Sequence, residues 1–393
     1  MSNYGPIAIV DVSPDKRFSA RVGELLNVKL NPTEVAKFKD GETNIRIKEG
    51  VRGKDVYIFQ SYMPEPFKQG DKDVIGIGER LYELLNAINA TQSGGEARRI
   101  TAVMPYCFGM RGERPTGPRQ STQAVVVAKA LGAMGLDKVL TVGLHTDAVQ
   151  SIFLAIGEKG IKVEPLSFEP LAANYIINTA RKYKQTHIVI ASPDAGGTKR
   201  ARQLRSIVDG HSDIDVDLAI GDKQRRQRDK AEILEIIGNV RGKDVYLYDD
   251  MGDTMTTLCG AVQAIKERGA KAIYLVLIHP VLGKNYEQNL DKLCKDGFVK
   301  EIIFGNTIPV KEKALKCQKL RTIPLEPFVA EAISRINHDQ SMSELHDYDK
   351  IMELYEKSKM QLDERTIKIG RLEKLAEKHH KPNGSRRPVP VTL

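Results

Sequence analysis

The sequence predicts an α/β protein of two related domains, each a mostly parallel sheet flanked by helices, followed by a helical C-terminal extension. Three observations carry this. The chain has 393 residues, more than one hydrophobic core usually serves. It repeats itself: Val51-Arg-Gly-Lys-Asp-Val-Tyr-Ile-Phe-Gln-Ser61 returns 189 residues on, from 51 to 240, as Val240-Arg-Gly-Lys-Asp-Val-Tyr-Leu-Tyr-Asp-Asp250. That period is too long for a solenoid and fits a duplicated domain. Finally, β-branched runs alternate with helix-length stretches through most of the chain, the pattern of parallel strands joined by crossover helices.

Within each copy of the repeat, Gly and Lys make a turn and Asp-Val-Tyr opens a buried strand. Further strands are expected at 100–104, 139–142, 187–191, 216–220, 245–248 and 272–278. Helices are expected at 74–90, 121–134, 171–184, 256–268 and 327–337, with Gly135 and Gly269 placed to end two of them in the left-handed conformation. The domains are expected at 1–160 and 161–337. From 338 to 380 the chain is charged and helical in pattern, with Leu345, Tyr348, Leu354, Leu362, Leu372 and Leu375 as face residues. The segment 381–393, rich in proline and arginine, reads as a disordered tail.

Composition narrows the function. Hydrophobic residues make up 41% and charged residues 28%, an ordinary globular balance that excludes a mostly disordered chain. The longest apolar runs are strand-sized, so no membrane span is expected. No signal peptide is visible at the start, and the four cysteines form no CxxC or zinc-type grouping. A cytoplasmic location is therefore expected. The net charge of +9 points to anionic partners. Without tryptophan and with 6% aromatics, a stacking platform for nucleic acid is disfavoured, which leaves phosphorylated small molecules.

The strongest local signal is Tyr246-Leu-Tyr-Asp-Asp-Met-Gly-Asp-Thr-Met-Thr-Thr-Leu258. A buried strand ends in Asp249 and Asp250, passes Gly252 and Asp253, and opens a helix through Thr254, Thr256 and Thr257. Open α/β sheets bind ligands at the carboxyl ends of their strands. Helix-start N–H groups and threonine hydroxyls suit a phosphate, and the two aspartates suit sugar hydroxyls or hydrated Mg²⁺. The plainer alternative is a threonine cap beside solvated acids. Asp194-Ala-Gly196-Gly197 follows another buried strand, and its glycines allow close backbone approach to a pyrophosphate. Alone, it would more often be an ordinary turn.

Taken together, these loops resemble those of the ribose-phosphate pyrophosphokinases. The match also includes Phe38-Lys-Asp-Gly-Glu42, Arg99-Ile-Thr-Ala-Val-Met-Pro-Tyr106, Leu144-His145, Ser192-Pro-Asp-Ala-Gly-Gly-Thr-Lys-Arg-Ala201 and Asp222-Lys-Gln-Arg225, in family order. The resemblance spans roughly 5–335 and implies two phosphoribosyltransferase-like halves. It also implies transfer of a diphosphoryl group from ATP to the C1 hydroxyl of ribose 5-phosphate, leaving AMP. By resemblance, Asp249, Asp250, Gly252, Asp253, Thr254, Thr256 and Thr257 hold ribose 5-phosphate, and Asp194, Gly196 and Gly197 form a pyrophosphate loop. Phe38, Asp40, Glu42, Arg111 and His145 bind ATP. His145 and Asp194 ligate Mg²⁺, and Lys223 and Arg225 sit on a mobile catalytic flap. A homo-oligomer, dimers assembling to a hexamer, is implied as well.

Departures from the family pattern fall close to these positions. Met255 stands in a loop that usually has small residues there, Gly112 replaces a glutamine, Gly143 an aspartate, and Gly50 a serine associated with phosphate regulation. The expected function is therefore the pyrophosphokinase; the alternative is a weak or inactive regulatory paralogue.

Overall fold

The computed structural model describes residues 4–62, 76–224 and 233–358. The first half runs β1 (Ile7–Asp11), α1 (Arg17–Leu26), β2 (Leu30–Asn31), β3 (Thr33–Lys37), β4 (Thr43–Ile47), β5 (Asp55–Phe59), α2 (Ile77–Asn89), β6 (Arg99–Val103), α3 (Gln123–Ala133), β7 (Lys138–Val142), α4 (Ala148–Leu154) and β8 (Lys162–Leu166). There follow α5 (Glu169–Lys182), β9 (His187–Ser192), α6 (Thr198–Gly210), β10 (Asp215–Gln224), β11 (Ile233–Ile237), β12 (Asp244–Met251) and α7 (Thr256–Glu267). The chain continues through β13 (Ala272–His279), α8 (Tyr286–Lys295), β14 (Val299–Gly305), β15 (Leu320–Ile323), α9 (Glu326–His338) and α10 (Tyr348–Lys357).

The duplication is topological. The first sheet is ordered β2-β1-β5-β6-β7-β8 and the second β11-β10-β9-β12-β13-β14-β15. The repeat aligns β5 with β12, and every other strand of the first sheet then has a counterpart in the second. All pairings are parallel except β10 with β11, an antiparallel edge, and the separate β3–β4 hairpin. Buried apolar strands such as β5, β6 and β13 have no solvated face, as a sheet covered on both sides requires. Gly135 and Gly269 take the left-handed conformation their positions predicted.

The helices divide into outer ones and a central set in which α1 meets α9 and α5 meets α6. One apolar cluster, including Ile9, Tyr57, Leu171, Ile190, Tyr248 and Phe328, runs through both halves. A helix follows the last strand of each sheet, and each leaves its own half. α5 lies against the second sheet, where Tyr248 donates to Glu169 and Tyr175 to Glu301. In return, α9 lies on the first. Tyr57 donates to the Ile333 carbonyl, Arg99 to that of Ile336, and Asn337 to Asp55. Both helices open alike, Phe168-Glu-Pro-Leu171 and Leu325-Glu-Pro-Phe328, each with proline in the first turn.

Strand β8 pairs with β7, so the first sheet runs to residue 166. Helix α9, which follows the last strand of the second sheet, packs on α1 and β5 of the first half. Of the extension, α10 is described: Leu345, Ile351 and Tyr355 are buried, and Tyr355 donates to the Pro324 carbonyl at 2.6 Å. Leu362, Leu372, Leu375 and the segment 381–393 lie outside the described residues. Cys294 and Cys317 form a disulfide between α8 and the turn before β15, a pairing their spacing did not suggest.

Candidate active site

A cleft of about 530 Å³ opens at the carboxyl ends of β9 and β12, with Arg111 and His145 reaching it from loops of the first half. Asp249 and Asp250 stand at the carboxyl end of β12 itself, Asp249 still paired in register with Leu277 of β13. Asp250 is 4% exposed and accepts from His145 Nδ1 at 2.5 Å. An Arg200 guanidinium nitrogen on α6 stands 3.9 Å from Asp249 and 3.7 Å from Asp250, while another donates to the His145 carbonyl at 3.0 Å. Arg200 thus fixes the imidazole loop and the acid pair together.

Two adjacent carboxylates cannot both be charged at low cost when buried. Burial pushes Asp249 up, and the neighbouring Asp250 pushes it further. Burial acts on Asp250 too, but the His145 hydrogen bond and the Arg200 charge outweigh it and hold this carboxyl down. The same hydrogen bond raises His145 against the opposing effect of its partial burial. A bound cation, or several hydroxyl donors, would relieve the burial and repulsion that raise Asp249.

The loop after β12 is shaped for an anion at the start of α7. Thr254 Oγ1 donates to Thr256 Oγ1 at 3.1 Å, and Asn289 on α8 donates to the Thr254 carbonyl at 2.9 Å. Met255 is the residue before the helix, at φ +63°, a conformation costly for anything but glycine. Its side chain is 2% exposed, inside the apolar cluster of the second half. It packs into that cluster at the edge of the cleft, while Thr254, Thr256 and Thr257 remain exposed beside it. Across the cleft Arg111 donates to Asp253 at 2.7 Å. Asp194 caps its own turn by accepting from the Gly197 amide at 3.2 Å.

The sequence-predicted residues thus divide. Asp194, Gly196, Arg111, His145, Asp249, Asp250, Asp253, Thr254, Thr256 and Thr257 meet in one cleft. Gly252 anchors the same loop by donating to the His279 carbonyl at 2.9 Å, and Gly197 closes the Asp194 turn. Phe38, Asp40 and Glu42 do not meet the cleft. They stand on the exposed tip of the β3–β4 hairpin, Phe38 at 56% exposure. Lys223 lies on β10, paired in register with Leu234. Arg225 lies outside the described residues.

Sequence reasoning missed three supporting residues. Arg200 was visible only as part of a basic pair after the Asp194 turn. His279, fully buried at the end of β13, donates from Nε2 to the Gly143 carbonyl at 2.9 Å and lies 2.9 Å from Thr307 Oγ1. Burial lowers it to about 4, so it is a neutral brace. Gly143 is at φ +52°, where a Cβ would stand 2.7 Å from the Ile278 side chain; the aspartate of the family pattern has no room here. Asn289 gave no sequence signal.

Mg²⁺ takes oxygen ligands and keeps several from water and substrate phosphates. Among the described residues no group of three or more histidine, cysteine or acidic side chains is arranged to hold a metal. The cleft therefore fits Mg²⁺ only as a site completed by substrate, with Asp194 and His145 on its wall.

Comparison with known proteins agrees with this geometry. Residues 7–135 match the N-terminal domain of ribose phosphate pyrophosphokinase, and residues 197–347 the phosphoribosyl synthetase-associated domain. The chain is 34% identical over 339 residues to the ribose-phosphate pyrophosphokinase of Hyphomonas neptunium, covering 86% of this chain and 99% of that one. Identity to the Ralstonia nicotianae enzyme is also 34%, over 346 residues, covering 88% and 99%. The crystal structure of phosphoribosylpyrophosphate synthetase from Mycobacterium smegmatis superposes with a TM-score of 0.71 at 27% identity, covering 84% of this chain and 98% of that one. Fold, cleft and sequence together place this chain in the ribose-phosphate pyrophosphokinase family, a family of diphosphotransferase enzymes.

Proposed function

We propose that this chain transfers the diphosphoryl group of ATP to the C1 hydroxyl of ribose 5-phosphate, giving phosphoribosyl pyrophosphate and AMP. The observation that carries this is the buried Asp249–Asp250 tip held by His145 and Arg200 beside an open helix start. Asp249 and Asp250 accept from the sugar hydroxyls. The Gly252–Thr257 loop holds the 5-phosphate through backbone N–H groups and threonine hydroxyls. The sugar oxygen bonds to the β-phosphorus as the bond to the α-phosphate oxygen breaks; AMP leaves with that oxygen and the hydroxyl loses its proton.

In this reading Arg111, His145 and Asp194, with Gly196 and Gly197, position the triphosphate. Lys223 and Arg225, on and just beyond the end of β10, supply positive charge where it builds during transfer. Asp194 and His145 would hold Mg²⁺, which when bound would supply charge neutralisation at the phosphate oxygens. The Phe38, Asp40 and Glu42 hairpin stands off its own cleft, which supports its use by a neighbouring copy and hence a homo-oligomer, dimers in a hexamer. No helix among the described residues is long and apolar enough to cross a membrane; we place the enzyme in the cytoplasm, although a disulfide is unusual there.

A regulatory paralogue is the second reading, motivated by Met255. The burial of that side chain argues against it, because the cradle beside it stays open. The test is AMP formation from ATP and Mg²⁺ with and without ribose 5-phosphate. Sugar-dependent AMP supports the enzyme; its absence, with ribose 5-phosphate still bound, leaves the paralogue.

A further inference from the structure

The first half has its own cavity at the matching place. It measures about 370 Å³ and opens at the carboxyl ends of β1 and β5. The repeat equates Gln60 with Asp249 and Ser61 with Asp250, and strand pairing extends the equation. Ile7 pairs with Asp55 as Ile188 pairs with Asp244, so Ser13 matches Asp194 and Ser19 on α1 matches Arg200 on α6. The construction is reciprocal. The loop after β7 brings His145 to the cleft of the second half, and the loop after β14 brings Asn306 and Thr307 to the cavity of the first.

The chemistry of the two differs. At the equated positions Asp249, Asp250 and Asp194 of the cleft become Gln60, Ser61 and Ser13; the cavity keeps Asp11, Asp15 and Glu326 on its wall, and its lining surface is mainly apolar, including Phe18 and Phe59 with ring centroids 6.4 Å apart. Three polar atoms of lining residues are buried without a hydrogen-bond partner among the described residues: Gln60 Oε1, Ser61 Oγ and Glu326 Oε2. Gln60 is fully buried, its amide nitrogen already spent on the Arg80 carbonyl and Glu83. Native interiors seldom leave such atoms unmet. Gln60 Oε1 can only accept, so its missing partner is a donor. The arginines lining the cavity are committed elsewhere, Arg17 to Asp15 and Arg21 to Glu24. Among the described lining residues no arginine stands without a carboxylate partner.

We propose that this cavity is a second ligand site, taking an uncharged amine-bearing nucleobase or nucleoside whose N–H groups meet Gln60 and Glu326 while its ring packs on Phe18 and Phe59. Planar rings suit aromatic walls, and a site built to pair an N–H discriminates strongly against an analogue lacking it. The site is distinct from the cleft and does not depend on the proposed reaction.

The experiment is calorimetric titration of the full chain with adenosine, purine riboside and AMP. It uses wild type, Val310→Trp to fill the cavity, and Asp249→Asn/Asp250→Asn to disable the cleft. Adenosine should bind one-to-one to wild type and to the cleft variant, roughly tenfold tighter than purine riboside or AMP, and not to Val310→Trp. If Val310→Trp does not fold, Glu326→Gln replaces it; that change keeps the oxygen that accepts from Asn306 at 2.9 Å and should weaken adenosine about tenfold. Binding lost in the cleft variant alone, equal affinity for purine riboside, or tighter AMP would overturn the proposal, as would absence of adenosine binding.

Discussion

Strands β5 and β12 hold the same place in two sheets of the same order, yet one ends in Gln60 and Ser61 and the other in Asp249 and Asp250. The difference extends to what surrounds them. Around the aspartates stand His145 and Arg200; at the position matching Arg200, the first half has Ser19. Buried carboxylates need such partners, and the uncharged tip does without. The comparison teaches that a duplicated scaffold fixes where a ligand can sit, while a few side chains at strand tips decide which chemistry is possible there.

The sharpest way to break the comparison is to give the second half the tip of the first. Asp249→Gln with Asp250→Ser should lower sugar-dependent AMP formation by about 10³-fold or more, and ribose 5-phosphate affinity far more than ATP affinity. Equal loss for both ligands in titration would assign the acids to the nucleotide instead. Next, Lys223→Ala tests β10, the strand that only the second half extends into a hairpin. Turnover should fall about 10²–10³-fold with ATP binding nearly unchanged. A change under about threefold in steady-state assays removes Lys223 from the flap.

The acid pair also predicts a pH dependence that its uncharged counterpart lacks. Burial raises Asp249 in the fold, so the folded chain binds this proton more tightly than the unfolded chain. Its contribution to stability is full below the unfolded carboxyl value of about 4 and is lost as pH rises through the folded value. Asp249→Asn should therefore stabilise the metal-free protein at pH 8, by on the order of 2 kcal/mol, and hardly at all at pH 4. Urea denaturation at both pH values reads this; an equal shift at the two would mean the carboxylate is paid for by Arg200. The smallest effect on the site itself is expected of Met255→Gly. Relief of the left-handed conformation, about 1 kcal/mol, opposes loss of a buried side chain, about 2–5 kcal/mol. The variant should be net less stable by roughly 1–4 kcal/mol, with ribose 5-phosphate affinity changed less than threefold by calorimetry.

The duplication, the strands and the loop from Asp249 to Thr257 were legible in the sequence, because they rest on local patterns: β-branched runs, turn glycines, and acids placed where a buried strand ends. The family resemblance then brought in His145, Arg111 and Asp194, which spacing alone could not connect. The exchange of α5 and α9 was not legible, since each helix has an apolar face equally suited to either sheet. Only the assembled cores decide which sheet completes it. Nor could composition show that His145 would bond Asp250, 105 positions apart, or that His279 would fill the space beside Gly143. The sequence by itself determined the elements, their period and the chemistry at each strand tip. Tertiary structure decided which tips face which loops, and hence that charged groups converge on Asp249 and Asp250 while Gln60 and Ser61 meet an apolar cavity: burial and charge are properties of the packed neighbourhood, and chain order does not encode them locally.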